Sequence, residues 1–511
     1  MANLVDPDIR PAAAADPVSA KPHRTPSLKR DAAWTAADTL FSSGLAFLFR
    51  LVVARFVAPA EFGVFALALT TFAIVQVFNE FGMAAAIIQR SEDRFTRELV
   101  DTAYASSTLV STGLFAINLL VIAPLAAWIY GSERVGLVTA VIGVSFLFTP
   151  AVSIARALLF RARDYRAVTI ARIVSTLLSL VVAGVVLALY QNVWALVVQI
   201  VSAQVFLAIM MRWVGEWRPR FKLSRNAFRE MIGYSGLVFA NDAFNAVAKN
   251  LDIIVLGRVL TQNQVGLYSL AFYITDVLRL HLTSILNRVM FTQYATLQND
   301  YGAVRFYIVR TMSVNALIIM PLMITLTLAG PIVLPEVLGE TWRGMGPTLQ
   351  LLALSVMLSA LGGTTSTAFK ALGRPGLEFA ITVGTSTLLL APALVIGVYV
   401  AGIEGAAAAV VFNVLLSVIV RQVALNRLVG STLVPVIRAA AGSLLAQVPI
   451  VLVWFAAMAV LPFAPAVNAV VASVLGLAGY GCCLLLLFLC RVESEAWPAF
   501  SRRRYMGDVT R

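Results

Sequence analysis

From about residue 34 to residue 490 the chain is an almost unbroken series of apolar stretches separated by short polar breaks. A bilayer core takes about 20 mostly apolar residues to cross as a helix. Inside it every backbone N–H and C=O must be bonded within its own segment or a closed barrel, so stretches of this length read as helices. The stretches fall at 34–57, 63–86, 99–127, 135–156, 168–189, 193–213, 231–256, 264–287, 307–329, 345–369, 377–399, 404–426, 436–461 and 467–490. The expected fold is an all-α polytopic membrane protein of about fourteen transmembrane helices. The breaks near 58–62 and 190–192 are very short, and the longest loop on the second side, 330–344, holds Pro331, Pro335 and Gly339.

Composition agrees. Hydrophobic residues make up 60% of the chain, charged residues 13%, and mean hydropathy is +0.86. A soluble protein carries about twice that charge. Soluble enzyme, nucleic-acid module and secreted disulfide scaffold are thereby excluded. Cys482, Cys483 and Cys490 share one apolar stretch, and His23 and His281 are the only histidines. Neither set has metal-ligand spacing, so no metal and no cofactor is expected. Residues 1–30, rich in Ala and Pro without an apolar run, read as a disordered tail rather than a signal peptide.

The net charge of +13 is topological. With the N-terminus placed inside, the two tails and the inside loops with their bordering turns hold 31 of the 39 Lys and Arg. The outside loops hold Arg134, Arg258 and Arg343, and the helices hold Arg50, Arg55, Arg172, Lys249 and Arg279. Cytoplasmic loops are the ones enriched in Lys and Arg, so both termini are expected in the cytoplasm. No nucleic-acid partner is implied.

A shift of 203 residues lays Ala54-Arg55-Phe56-Val57 on Gly257-Arg258-Val259-Leu260, and Gly63-Val64-Phe65-Ala66-Leu67-Ala68 on Gly266-Leu267-Tyr268-Ser269-Leu270-Ala271. Asp38 falls on Asn241 by the same shift. Six helices separate the copies, so both point the same way, and a parallel repeat about an axis along the membrane normal follows. The expected organisation is a cytoplasmic tail (1–30), a first six-helix bundle (31–225), a second (226–426), an appended helix pair (427–490) and a second tail (491–511).

Ionisable groups within spanning helices are costly and usually face protein or water. Asp242, Asn245, Lys249 and Asp252 are spaced to share one face of helix 7, and Asp276 and Arg279 share one on helix 8. Arg50 and Asp38 lie in helix 1, Glu80 near the end of helix 2, and Arg172 in helix 5. Arg55 and Arg258 sit near helix ends, where a long side chain can snorkel. No Ser/His/Asp set and no phosphate-binding Gly loop appears, so no enzyme and no ATPase motor is expected.

Arg55-Phe56-Val57-Ala58-Pro59-Ala60-Glu61-Phe62-Gly63 resembles the first-hairpin motif of the bacterial polysaccharide transporter family, the oligosaccharide flippases. Lys249-Asn250-Leu251-Asp252, Gly257-Arg258 and the 266–271 run resemble that family's helix 7–8 motif, and Val193-Trp194-Ala195-Leu196-Val197 is similar to its helix 5–6 turn. Ala58 stands where the family usually has Gly. The family belongs to the multidrug/oligosaccharidyl-lipid/polysaccharide exporter superfamily. The resemblance implies two six-helix bundles and alternating access. It also implies flipping of undecaprenyl-pyrophosphate-linked sugar units across the cell inner membrane for exopolysaccharide or lipopolysaccharide synthesis.

The implied partners are that lipid-linked oligosaccharide and membrane lipids, with a polysaccharide polymerase and export machinery as further candidates. In this reading Arg50, Arg55, Arg172, Lys249 and Arg279 are the substrate-binding candidates, because a pyrophosphate needs cationic donors. Asp38, Glu80, Asp242, Asp252 and Asp276 are the coupling or gating candidates. Lys249 and Asp252, three apart, are expected to pair as a switch. A lipid II or multidrug transporter of the same superfamily stays open as an alternative. A membrane polysaccharide polymerase fits less well, for want of a large outside loop.

Overall fold

The computed structural model describes residues 28–79, 83–89, 95–215, 217–224, 236–430 and 433–489, and among them there is no strand. Ten segments are long and apolar enough to cross a membrane. One of them, Pro375–Val429, is two helices merged across non-helical Ala401 and Gly402. Three further helices carry most of the intramembrane charge, and with them the described residues form fourteen long helices, besides the short helix Met83–Gln89. In chain order, α1 is Leu28–Phe56, α2 Pro59–Gln76, α3 Arg97–Tyr130, α4 Glu133–Arg161, α5 Tyr165–Tyr190 and α6 Trp194–Val214. α7 is the two segments Gly236–Lys249 and Leu251–Val259, α8 Gln262–Thr296, α9 Tyr301–Leu338 and α10 Glu340–Ala371. α11 and α12 are the parts of Pro375–Val429 before and after its break, α13 is Leu433–Val460 and α14 Pro465–Leu489.

Local chemistry sets the boundaries. Pro59 opens α2, where its missing N–H is one that the first turn leaves unbonded anyway. Gln191 closes α5 in a left-handed conformation (φ 48°), and the Asn192 carboxamide oxygen accepts the Trp194 N–H at 3.1 Å to start α6. Both of these very short expected breaks are therefore real. Thr261 and Gln264 form a reciprocal capping box at the start of α8.

Several helices overrun their expected ends, α8 reaching Thr296 and α9 starting at Tyr301, and three further differences bear on the site. α2 does not run to 86: it ends at Gln76 and tightens into a 3-10 turn, Val77–Asn79, where Asn79 accepts the Ser111 hydroxyl of α3. The loop expected over 330–344 is helical as far as Leu338. Prolines are tolerated in spanning helices because neighbouring groups satisfy the freed backbone atoms. α7 is interrupted at Asn250 (φ −110°, ψ 11°), so it is not one rod.

The chain forms two compact units. The first comprises residues 1–49 and 68–246, and the second residues 50–67 and 247–511. The tip of the first hairpin thus belongs with the second unit. In the first unit, Val100, Ala103, Ile154 and Ala157 pack α3 on α4. Ser224 donates its N–H to the Thr102 hydroxyl at 3.2 Å, which ties the segment after α6 to α3.

In the second unit the hairpin tip is clamped. Trp342, fully buried, donates its indole N–H to the Ala54 carbonyl at 2.8 Å and meets the Phe62 ring edge-on at 5.1 Å. The two repeat glycines carry the crossing. A β-carbon on Gly63 would lie 1.9 Å from the Gln262 carbonyl oxygen, and one on Gly266 would lie 1.7 Å from that of Pro59. Pro59 and Gln262 are themselves related by the shift of 203 residues. The contact is reciprocal, and only glycine lets the backbones approach so closely. The α13–α14 pair packs on α9, where Tyr480 donates to the Leu317 carbonyl at 2.7 Å.

Candidate functional site

The intramembrane charges sort into those that are paired and those that are not. Arg172 of α5 reaches Asp38 of α1, Nη1 to Oδ2, at 3.0 Å, and Ser42 donates a longer bond (3.4 Å) to the same carboxylate. The sequence assigns Arg172 to substrate and Asp38 to coupling; in the first unit they hold each other. Asp276 and Arg279, one turn apart on α8, form a second pair, with Arg279 Nε donating to Oδ1 at 3.1 Å and Nη2 donating to the same oxygen. Here too one substrate candidate and one coupling candidate are partners.

The expected Lys249–Asp252 pair does not form. The helix breaks at Asn250, between them, so the three-residue spacing no longer places both side chains on one face. Lys249 is exposed at the end of the first segment. Asp252 is buried in the first turn of the second, where it accepts the Tyr268 hydroxyl at 2.8 Å and the Ile253 N–H at 2.8 Å. Hydrogen bonds to a tyrosine and a backbone amide, rather than a lysine, make this buried carboxylate tolerable.

Arg50 stands apart. Its guanidinium lies over the Tyr273 ring, 4.0 Å from the centroid, and 5.2 Å from the Phe65 centroid. No carboxylate forms an ion pair with it among the described residues. Stacking on ring faces stabilises a guanidinium by about 0.5–2 kcal/mol and leaves its planar N–H edge for another partner. Arg55 is exposed at the end of α1, with its Nη1 beside Gly339, and its repeat counterpart Arg258 is exposed at the end of α7. Glu80 lies outside the described residues, as does the side chain of Asp242.

The sequence reading missed one buried pair. Arg421 of α12 forks onto Glu378 of α11, with Nη2–Oε1 at 3.2 Å and Nε–Oε2 at 3.3 Å, and Thr382 bonds both partners at 3.2 Å. The position of Arg421 inside the apolar stretch 404–426 is the signal that could have found it. In sum, Asp38, Asp252, Asp276 and Glu378 are each bonded, whereas Arg50 and Lys249 are cations without an acidic partner among the described residues. An arrangement of satisfied acids and an unpaired, ring-stacked arginine can take up an anion. Among the described acids, buried Asp101 of α3 keeps one oxygen, Oδ1, without a hydrogen-bond partner, while Arg97 lies 3.9 Å from the other.

A family model described as polysaccharide biosynthesis protein matches residues 52–347. The chain is 24% identical over 376 residues to the lipopolysaccharide biosynthesis protein WzxC of Escherichia coli, covering 73% of this chain and 76% of that protein. It is 24% identical over 306 residues to the teichuronic acid biosynthesis protein TuaB of Bacillus subtilis, covering 60% of this chain and 63% of that one. Among solved structures it is similar to the lipid II flippase MurJ in an inward closed conformation, with TM-score 0.71 at 13% identity, over 90% of this chain and all of that one. It is also similar to an inward-facing multidrug resistance MATE transporter of the MOP superfamily, with TM-score 0.60 at 14% identity, over 78% of this chain and 94% of that one. These likenesses show the fold, that of a polytopic transporter built from helices alone. The matched model spans more than half of the chain, including the 54–68 and 249–271 motifs, and the chain belongs to the polysaccharide biosynthesis protein family of membrane transporters.

Proposed function

We propose that the protein flips undecaprenyl-pyrophosphate-linked oligosaccharide repeat units across the cell inner membrane by alternating access, for polysaccharide export. The observation that carries this reading is Arg50: a guanidinium stacked on Tyr273 and Phe65 that no carboxylate neutralises among the described residues. A pyrophosphate head crossing a layer that excludes charge needs such a donor, and a guanidinium grips it with two parallel N–H···O bonds. Lys249 supplies a second, mobile positive charge. Arg55 acts as a snorkelling cation at a helix end, where arriving or departing phosphate meets it first. Arg172 and Arg279 join in only by exchanging Asp38 and Asp276 for phosphate, which would release those carboxylates to take a proton or a cation. Asp252 has the same option through Tyr268, and Glu80 and Asp242 remain coupling candidates from the sequence.

The names of the relatives, which describe lipopolysaccharide and teichuronic acid biosynthesis proteins, support a polysaccharide substrate. The charge asymmetry supports cytoplasmic termini, and the repeat supports the six-plus-six-plus-two division. A polymerase and export machinery would receive the flipped unit.

The test is polymer export, together with flipping of a fluorescent pyrophosphate-linked lipid in proteoliposomes. Arg50→Ala is expected to lower both at least tenfold with unchanged membrane abundance. Arg50→Lys should recover only part, since an ammonium lacks the fork. Full activity of Arg50→Ala would overturn the assignment. Flipping of lipid II in preference to an oligosaccharide-linked lipid would replace the substrate but keep the site.

A further inference from the structure

The break in α10 gathers more buried oxygen than its hydrogen bonds use. α10 runs as Gly346–Ala360, turns through Leu361 and Gly362, and resumes as Gly363–Ala371. A β-carbon on Gly362 would come within 2.5 Å of Val418 on α12, so this turn is packed against its neighbour rather than loosely kinked.

Three other helices bring neutral polar side chains to it. From α9, Asn315 donates its amide to the Ala360 carbonyl at 3.1 Å. From α12, Gln422 donates to the Thr365 hydroxyl at 3.1 Å and the Leu361 carbonyl at 3.4 Å. From α8, the Thr283 methyl lies 3.9 Å from where a β-carbon on Gly363 would stand, which brings this threonine alongside the turn. Asn315, Thr364, Thr365 and Gln422 are all buried, none more than 4% exposed. The two amide nitrogens are spent on the turn. Asn315 Oδ1, Gln422 Oε1, Thr364 Oγ1 and Thr283 Oγ1 have no hydrogen-bond partner. A polar oxygen withdrawn from water and left bare forfeits its solvation with nothing in return.

We propose that this turn is a binding site for a monovalent alkali cation, Na+ or K+. Asn315 Oδ1, Gln422 Oε1 and Thr364 Oγ1 bind it, with the second lone pairs of the Ala360 and Leu361 carbonyls completing an all-oxygen shell and Thr283 Oγ1 at its edge. The unspent atoms are oxygens, which hard cations prefer. The set contains no carboxylate to compensate a divalent charge, and no group of three His, Cys, Asp or Glu suited to a metal exists among the described residues. The charge nearest in sequence, Arg421, is already neutralised by Glu378. The carbonyl end of the Gly346–Ala360 segment carries the negative end of a helix dipole, and broken helices in membranes present such ends to monovalent ions. Water is the competing occupant, and it predicts no response to the identity of the salt.

The test does not depend on the flippase reading, because it reads stability rather than transport. Thermal unfolding of the purified protein in detergent is followed in NaCl, KCl and choline chloride at equal ionic strength. For the wild type, one alkali salt should raise Tm saturably, by about 2–4 °C at concentrations some thirtyfold above its dissociation constant. Gln422→Leu, or Asn315→Ala should that variant misfold, should lose the difference between the alkali salt and choline. Gln447→Leu, which removes a buried amide elsewhere in the same unit, should keep it. Equal Tm in all three salts for the wild type, or an undiminished alkali effect in both Gln422→Leu and Asn315→Ala, would overturn the proposal.

Discussion

Removing one partner of the Glu378–Arg421 pair should destabilise the protein far more than removing both. The pair lies between α11 and α12 with side chains 8% and 19% exposed, and both nitrogens of the fork face carboxylate oxygens at 3.2 and 3.3 Å. Exposed ion pairs contribute about 0–1 kcal/mol. Stranding one member of a buried pair costs about 3–5 kcal/mol, whereas replacing both by apolar residues of similar volume is often neutral.

The two single variants should also differ from each other. In Arg421→Met, Glu378 keeps its bond from Thr382 at 3.2 Å and can take up a proton, which places that variant near 3 kcal/mol, the lower end of the range. In Glu378→Leu, the guanidinium cannot shed its charge. That variant belongs near the upper end, about 5 kcal/mol. The double variant should return to within about 1 kcal/mol of wild type, giving a coupling energy well above the additivity error of about 0.5 kcal/mol. Reversible unfolding in mixed detergent micelles, read by tryptophan fluorescence, measures all four corners of the cycle. Costs of the two singles that simply add in the double would refute the reasoning, because they would mean that water already solvates both charges.

Other outcomes follow from the same geometry. Gly63→Ala and Gly266→Ala each drive a methyl into backbone rather than a movable side chain, and should cost at least the 1–3 kcal/mol typical of overpacking, with loss of a monodisperse gel-filtration peak. Gly44→Ala, with nothing within 4 Å of the new atom, should leave that peak unchanged. Asp252→Leu orphans the buried Tyr268 hydroxyl and should cost about 1–3 kcal/mol, while Lys249→Met should be close to neutral for folding. Because the two do not pair, Lys249→Met should fail to rescue Asp252→Leu in the same unfolding assay. Reporter fusions after residues 130 and 165 should signal outside and inside respectively; inverted signals would overturn the cytoplasmic placement of the termini.

The helices were legible because lipid imposes a length and forbids unpaired backbone polar groups, so apolar run length alone locates them. Even the two-residue break before Pro59 and the turn at Gln191–Asn192 could be read from local residue chemistry. The fixed shift that matches Arg55 with Arg258 and Gly63 with Gly266 was legible too, but the reciprocal close contact of the two glycine turns was not, because spacing along the chain says nothing of which backbones meet. Nor was partnership. Helical spacing put Lys249 and Asp252 together, yet one non-helical residue, Asn250, turned them apart and gave Asp252 to Tyr268, sixteen residues away. Spacing within one helix did find Asp276 with Arg279, because that helix is continuous there.

Contacts between helices, such as Asp38 with Arg172 or Glu378 with Arg421, depend on which faces meet, and apolar run length carries no information about facing. The same holds for Arg50. The sequence marks it as a charge deep in an apolar stretch, but only packing shows it stacked on Tyr273 with no carboxylate paired to it among the described residues. The sequence alone determined that this chain is a many-helix membrane protein, because that property follows from local hydropathy and run length. Which charges cancel and which remain to meet an anion was decided by tertiary structure, because a charge in a low-dielectric medium is governed by the groups within a few ångströms of it, and these come from distant parts of the chain.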